Sequence, residues 1–273
     1  MEIVIIVTIF FYLMSTAGYF AYLFLQKNYL NRSGYFLLIT GFLCNSAAIL
    51  YGFLKSGQIP VHNLHETLVI VGWSIAGVFI LFQYKFNLRI FGIYAAPLAA
   101  IVMVFASQVS SEPVQIKNIV NNFWLIFHII SIFISYASFV LAGGLGFMYL
   151  AQENAIKTKK HGFFFRRLPS LELLDTAGYT CIVVGFTMLT IGLATGLVYA
   201  KMVWGKFWSW DPKEVWSGIA WLLYAALLHE RLTTGWRGRK AAIMAIVGLA
   251  VLLFTFFGVN FLLKGHHGEF TRL

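Results

Sequence analysis

The stretch Trp204-Gly-Lys-Phe-Trp208-Ser-Trp210-Asp211-Pro-Lys-Glu214-Val-Trp216 carries the most unusual side-chain chemistry in this chain. Five of the 8 tryptophans fall between Trp204 and Trp221. An aromatic belt at a membrane–water boundary accounts for one or two tryptophans per helix end. It does not account for this density beside Asp211, Lys213 and Glu214. Flat indole rings at such a boundary make a platform for a large planar apolar ligand, and the neighbouring charges set its orientation. Histidines supply matching chemistry, because imidazole ligates heme iron. His128 sits about two turns inside an apolar segment, and His266 and His267 follow the last one. His128 and His267 flank the Trp-rich stretch in sequence. That arrangement suits two axial ligands on a macrocycle laid against the indoles.

His229 does not fit that site. At 1.5 Å rise per residue it falls roughly 20 Å below the outer end of its segment. An ionisable residue inside a membrane is a functional candidate by default, yet no second histidine of this chain shares the depth of His229. A partner ligand for it must come from another protein. A b-type electron carrier needs histidine pairs at matched depths, which are missing. A proton-coupled transporter needs carboxylates at mid-membrane, whereas the 10 acidic residues cluster at segment ends and in loops. His62 and His65 stand just ahead of the third apolar segment, and His161 lies in a basic loop.

The elements that must position these residues are membrane helices. The 273 residues are 60% hydrophobic and only 11% charged, against about 25% charged in a soluble domain. The apolar residues come in blocks of about 20, which matches the hydrocarbon thickness of a bilayer. Lipid offers backbone groups no partner, so each block must be helical. We expect an all-α integral membrane protein with spans at roughly 3–25, 34–54, 67–84, 90–106, 123–150, 176–200, 215–232 and 241–263. The whole chain, 1–273, reads as one polytopic membrane domain with an external Trp-rich loop at about 201–214. The first apolar run has no basic residues ahead of it, so it reads as a span and not as a cleavable signal peptide. Cys44 and Cys181 lie inside spans with no CxxC pairing, which argues against a thiol–disulfide couple. The net charge of +10 resides in short loops, so it does not imply nucleic-acid binding.

Loop charges orient the chain. One set of loops, including Lys27, Arg32, Lys157, Lys159, Arg167, Arg231 and Arg239, holds 13 of the 20 Lys and Arg residues. This set should be cytoplasmic. Both termini then face outward, together with the Trp-rich loop and the segments around 55–66 and 107–122. The expected location is the cell inner (cytoplasmic) membrane, crossed several times.

The same residues carry a resemblance. WGKFWSWDPKEVW looks like the "WWD" signature of heme-handling proteins. LLHERL, GVNFLLKGHHGEF and FHIISIFISYASFVLAG around His128 are similar to the CcsA/ResC branch of system II cytochrome c biogenesis. The WDPKE ending favours that branch over CcmC-type proteins, and the match runs from about Asn63 to His267. The resemblance implies a subunit of a holocytochrome c synthase of the heme lyase type. Such a subunit binds heme b at the outer face and presents it for thioether attachment to CxxCH apocytochromes c. A heme exporter or carrier without synthase activity is the alternative. By the same resemblance, Trp204, Trp208, Trp210, Asp211, Glu214 and Trp216 contact heme, and the iron ligands are His128, His267 and His229. His266 stands beside the favoured His267. The counterpart of His229 comes from a CcsB/ResB-like subunit; apocytochrome c and thiol-reducing proteins complete the expected partners. His62 departs from the family pattern and has no assigned role.

Overall fold

The structure is a computed structural model that describes residues 2–109, 122–159, 162–163 and 165–258. Among these residues every regular element is helical: α1 (Glu2–Leu25), α2 (Asn28–Ser56), α3 (Leu64–Phe86), α4 (Gly92–Gln108), α5 (Phe123–Lys157), α6 (Leu171–Trp204), α7 (Pro212–Thr233) and α8 (Arg239–Leu253). A 3-10 turn, Arg89–Phe91, leads into α4, and a π-helical turn, Phe254–Gly258, extends α8. Seven of these segments are long and apolar enough to cross a membrane. The exception is α7. Its 22 residues reach about 33 Å at helical rise, which suffices in length. Lys213, Glu214, His229, Glu230 and Arg231 at its two ends make it more polar than the others. The chain is therefore an all-α, multi-pass membrane protein.

The sequence-derived span at 90–106 opens in the 3-10 turn before α4, and the one at 241–263 runs through α8 and its π-helical turn to Gly258, with 259–263 outside the described residues. The other six lie within longer helices, because polar residues at span ends continue the backbone hydrogen bonding. The expected interruption at 151–175 shortens for this reason: α5 runs on to Lys157 and α6 begins at Leu171. On the other side α6 continues through Trp204 and α7 starts at Pro212, which leaves 205–211 as the connecting loop.

The described residues divide into two compact units that part between Ile126 and Phe127. In the first, α1 and α2 pack through small residues; a Cβ on Gly18 would lie 3.1 Å from the Gly34 Cα. Close backbone approach of this kind is how membrane helices gain packing energy without a hydrophobic driving force. Ser15 donates to the Gly34 carbonyl at 2.7 Å. Tyr19 is fully buried and donates to Gln83 Oε1 of α3 at 2.5 Å. Asn63 caps α3 by accepting from the Glu66 N–H at 2.8 Å.

In the second unit α5 and α6 run antiparallel along a stripe of glycines spaced seven residues apart: Gly178, Gly185 and Gly192. Cβ atoms added at Gly185 and Gly192 would fall 2.6 Å from the Phe139 ring and 2.7 Å from Ile132. A larger residue at either site would push the helices apart. The Tyr224 ring of α7 stacks on Phe139 with centroids 3.5 Å apart and planes 4° from parallel. This pair forms the centre of the unit, and both residues are fully buried.

Candidate functional site

His128 lies on the glycine stripe. Its Nδ1 is 2.7 Å from the carbonyl oxygen of Gly192. A carbonyl only accepts, so Nδ1 carries the proton, and in the neutral ring Nε2 holds the lone pair. A Cβ at Gly196 would stand 2.6 Å from His128 Nδ1 and 2.8 Å from Cε1. The ring is thus seated against a backbone that has no side chain to displace it. This is the outer partner that a metal-ligating imidazole needs to fix its tautomer and its aim.

Gly196 precedes Trp204 by eight residues of continuous helix, about 12 Å. The His128 ring therefore sits near the same end of α6 as the Trp-rich loop. That loop is built by α7. Asp211 is 4% exposed and is its N-cap, with Pro212 at the first helical position, where the missing N–H costs nothing. The Asp211 carboxylate accepts from the Lys213 N–H at 2.9 Å, and Glu214 completes a reciprocal capping box. Glu214 Oε2 also accepts from the Ser209 N–H at 2.8 Å, and Oε1 from the Ser209 hydroxyl at 3.0 Å. Burial pushes the Lys213 ammonium down to about 8, against the opposing pull of Asp211.

The tryptophans separate by environment. Trp210 is 78% exposed and has a φ of 59°, in the left-handed region. That conformation costs a non-glycine residue of order 1–3 kcal/mol and persists only where the surroundings enforce it. Trp208 crosses it edge-on, with centroids 5.9 Å apart at 87°. Trp216 instead packs on Phe254, at 4.5 Å, at the start of the π-helical turn. Trp204, the last residue of α6, meets Tyr199 edge-on. Trp221 donates to Thr190 at 2.9 Å and joins α7 to α6.

The cytochrome C assembly protein family matches residues 61–267. The cytochrome c biogenesis protein CcsA of Guillardia theta is 34% identical over 246 residues, which is 82% of this chain and 81% of that one. CcsA of Synechococcus sp. (strain CC9902) is 34% identical over 249 residues, covering 81% of each. This chain belongs to the CcsA family. It is a cytochrome c biogenesis protein. Among solved structures, the cytochrome c heme lyase CcmF superposes with a TM-score of 0.66 over 98% of this chain at 16% identity. The likeness shows a shared fold, and this chain spans 48% of that longer one.

The remaining histidines of this CcsA-family chain fall in different settings. His229 is exposed on α7, in line with Ile219, Leu222 and Ala226 on the same outward stripe. Its backbone carbonyl accepts from the Thr233 hydroxyl at 2.8 Å. His266 and His267 lie outside the described residues, as does His161. His62, in the first unit, is bound on both nitrogens: Nδ1 is 3.1 Å from Glu66 Oε2 and Nε2 is 2.7 Å from Gln58 Oε1. His65 is 6% exposed and donates from Nδ1 to the Ala106 carbonyl at 2.8 Å. Its role is to tie α3 to α4.

The sequence reading missed one site altogether. Arg231 reads as an inner-loop anchor, but its guanidinium grips Asp175 with both arms, at 3.1 and 2.6 Å. The Gly238 N–H adds a third bond to Asp175 at 2.8 Å, and the guanidinium sits 4.3 Å from the Tyr179 ring centroid. Burial alone would favour the neutral acid. The Arg231 guanidinium and the Gly238 N–H outweigh it and hold the Asp175 carboxyl below its ordinary value. This cluster clamps the turn between α7 and α8 onto the first turns of α6.

Proposed function

We propose that this protein holds heme at the outer face of the membrane and presents it for attachment to CxxCH apocytochromes c, as the heme-handling subunit of a membrane cytochrome c synthase. The observation that carries this reading is the pair of contacts at His128. Nδ1–H is committed to the Gly192 carbonyl, which leaves the neutral ring its lone pair on Nε2. The Gly196 backbone seats the ring. This donor fits heme iron, which takes a neutral imidazole nitrogen. The Trp-rich loop at the same end of α6 fits the flat apolar macrocycle. Heme b supplies the vinyl groups to which two cysteine thiols add as thioethers. The chain's own work is to bind, orient and expose that edge, so the rate gain is one of positioning.

His267 is the second outer ligand in this reading, with His266 as its neighbour. His229 serves an inner position shared with a CcsB/ResB-like subunit. Its place on an outward-facing apolar stripe of α7 supports this, because a ligand meant to be shared must leave its own helix bundle. Apocytochrome c is the acceptor, and thiol-reducing proteins keep its cysteines reactive. The 13-of-20 share of Lys and Arg in one set of loops supports outward termini and an outward Trp-rich loop. The membrane is the cell inner membrane in this reading.

The test is reconstitution. The chain purified with its partner subunit, given heme and a reduced CxxCH peptide, should yield peptide with covalent heme. Heme that binds but never becomes covalent would reduce the role to that of a carrier.

A further inference from the structure

Residue 210 is held from both sides by one carboxylate. Glu214 Oε2 accepts from the N–H groups of Ser209, at 2.8 Å, and Asp211, at 3.2 Å. Its Oε1 accepts from the Ser209 hydroxyl at 3.0 Å. Trp210 lies between these anchors with φ at 59° and an indole 78% exposed. An indole at the end of a strained backbone turn thus leaves most of its apolar face uncovered by the protein. Trp208, by contrast, is 37% exposed and leans over Gly218 of α7, where a Cβ would meet its Cη2 at 3.7 Å.

We infer that Glu214 is a positioning residue: its carboxylate folds segment 209–211 so that Trp210 stands out as the face that meets the planar ligand, with Trp208 crossed behind it as support. This rests on the reading of the loop as a heme platform, and it divides the labour within that loop. Glu214 does not touch the ligand. It acts through the backbone of its neighbours. Trp210 takes the contact, while Trp216 and Trp204 belong to the packing of the helix ends.

The division is tested with the full chain in detergent, using hemin as the probe. Near-ultraviolet circular dichroism of the heme-free protein reads the crossed Trp208–Trp210 pair, and Soret absorbance reads hemin affinity. Glu214→Ala should lose the dichroic signal of the pair, as should Trp210→Gly. Glu214→Gln should keep it, since one amide oxygen still accepts from both backbone N–H groups. Hemin affinity should fall about tenfold in Glu214→Ala and in Trp210→Gly, the scale of one aromatic contact. The double variant Trp210→Gly/Glu214→Ala should bind no more weakly than Trp210→Gly alone, because both changes remove the same contact. An additive loss, about a hundredfold in the double variant, would mean that Glu214 meets the ligand itself and would overturn the inference. An unchanged dichroic signal in Glu214→Ala would overturn it too. If Glu214→Ala fails to fold, recovery of the fold in the double variant supports the clamp, since glycine needs no help at positive φ; persistent misfolding contradicts it. A wild-type chain that binds no hemin would sink the platform reading, and the heme-free dichroism would still decide what Glu214 does.

Discussion

His128 on α5 and Gly192 on α6 are joined by a 2.7 Å hydrogen bond from imidazole Nδ1 to the backbone carbonyl, and Ser135 and Gly185 repeat that bond at 2.8 Å seven residues along each helix. The repeat says how the site arose from the fold. A seven-residue spacing keeps the same face of α5 turned toward α6. Glycine at the facing position lets a polar side chain reach a carbonyl that already serves the helix. Ser135 uses the position to tie the helices together. His128 occupies the equivalent position nearer the Trp-rich loop.

Gly196→Ala should therefore harm the site without removing any of its chemistry. The new Cβ would stand 2.6 Å from His128 Nδ1, so the ring must turn. Hemin affinity should drop by about tenfold or more, the worth of roughly 1.4 kcal/mol. Titration of the purified variant by Soret absorbance checks this, and wild-type affinity would show that the ring is not held by the Gly196 backbone.

The Asp175–Arg231 cluster should carry stability. Arg231→Met leaves the partly buried carboxylate of Asp175 without its paired guanidinium, and about 3 kcal/mol should be lost. Thermal unfolding in detergent reads this. The pH dependence has a fixed sign. The folded pKa of Asp175 lies below its ordinary 3.8, so the contribution is complete above that value and is lost as pH falls through the folded pKa. Wild type should weaken on acidification within that range, and Asp175→Asn should show less of the effect.

His229 should matter only in company. His229→Gln would remove the proposed iron ligand and keep a polar side chain, on a face of α7 that points away from its own unit. Heme content of the complex with the partner subunit should fall, while the thermal stability of the isolated chain should stay within about 0.5 kcal/mol of wild type. A complex with full heme content would remove His229 from the ligands.

Much of this was legible in the sequence. Among the described residues the apolar blocks are helical and seven helices are long and apolar enough to cross a membrane, because bilayer thickness and backbone hydrogen bonding leave one solution per block. The Trp-rich stretch and His128 stood out because their residue types are costly where they lie. What the sequence could not show was direction. Trp204, Trp210 and Trp216 look equivalent in the motif, yet one ends α6, one stands out at positive φ and one packs on Phe254. Their difference comes from where α6 stops, at the left-handed Gly205, and where α7 is capped, by Asp211 and Glu214 together. Arg231 and Asp175 lie 56 positions apart, so no local pattern announces that pair. The positive-inside count weighs only charge, and it treats a paired arginine and a free one alike.

The central claim is that the chain holds heme through His128, and the Soret absorbance of the purified complex with its partner subunit tests it most directly. Wild type should carry a Soret band typical of a histidine-ligated heme. His128→Ala should lose or shift that band and stop cytochrome c maturation, and added imidazole should restore part of both by filling the vacant ligand position. A His128→Ala complex with an unaltered Soret band and normal maturation would contradict the account.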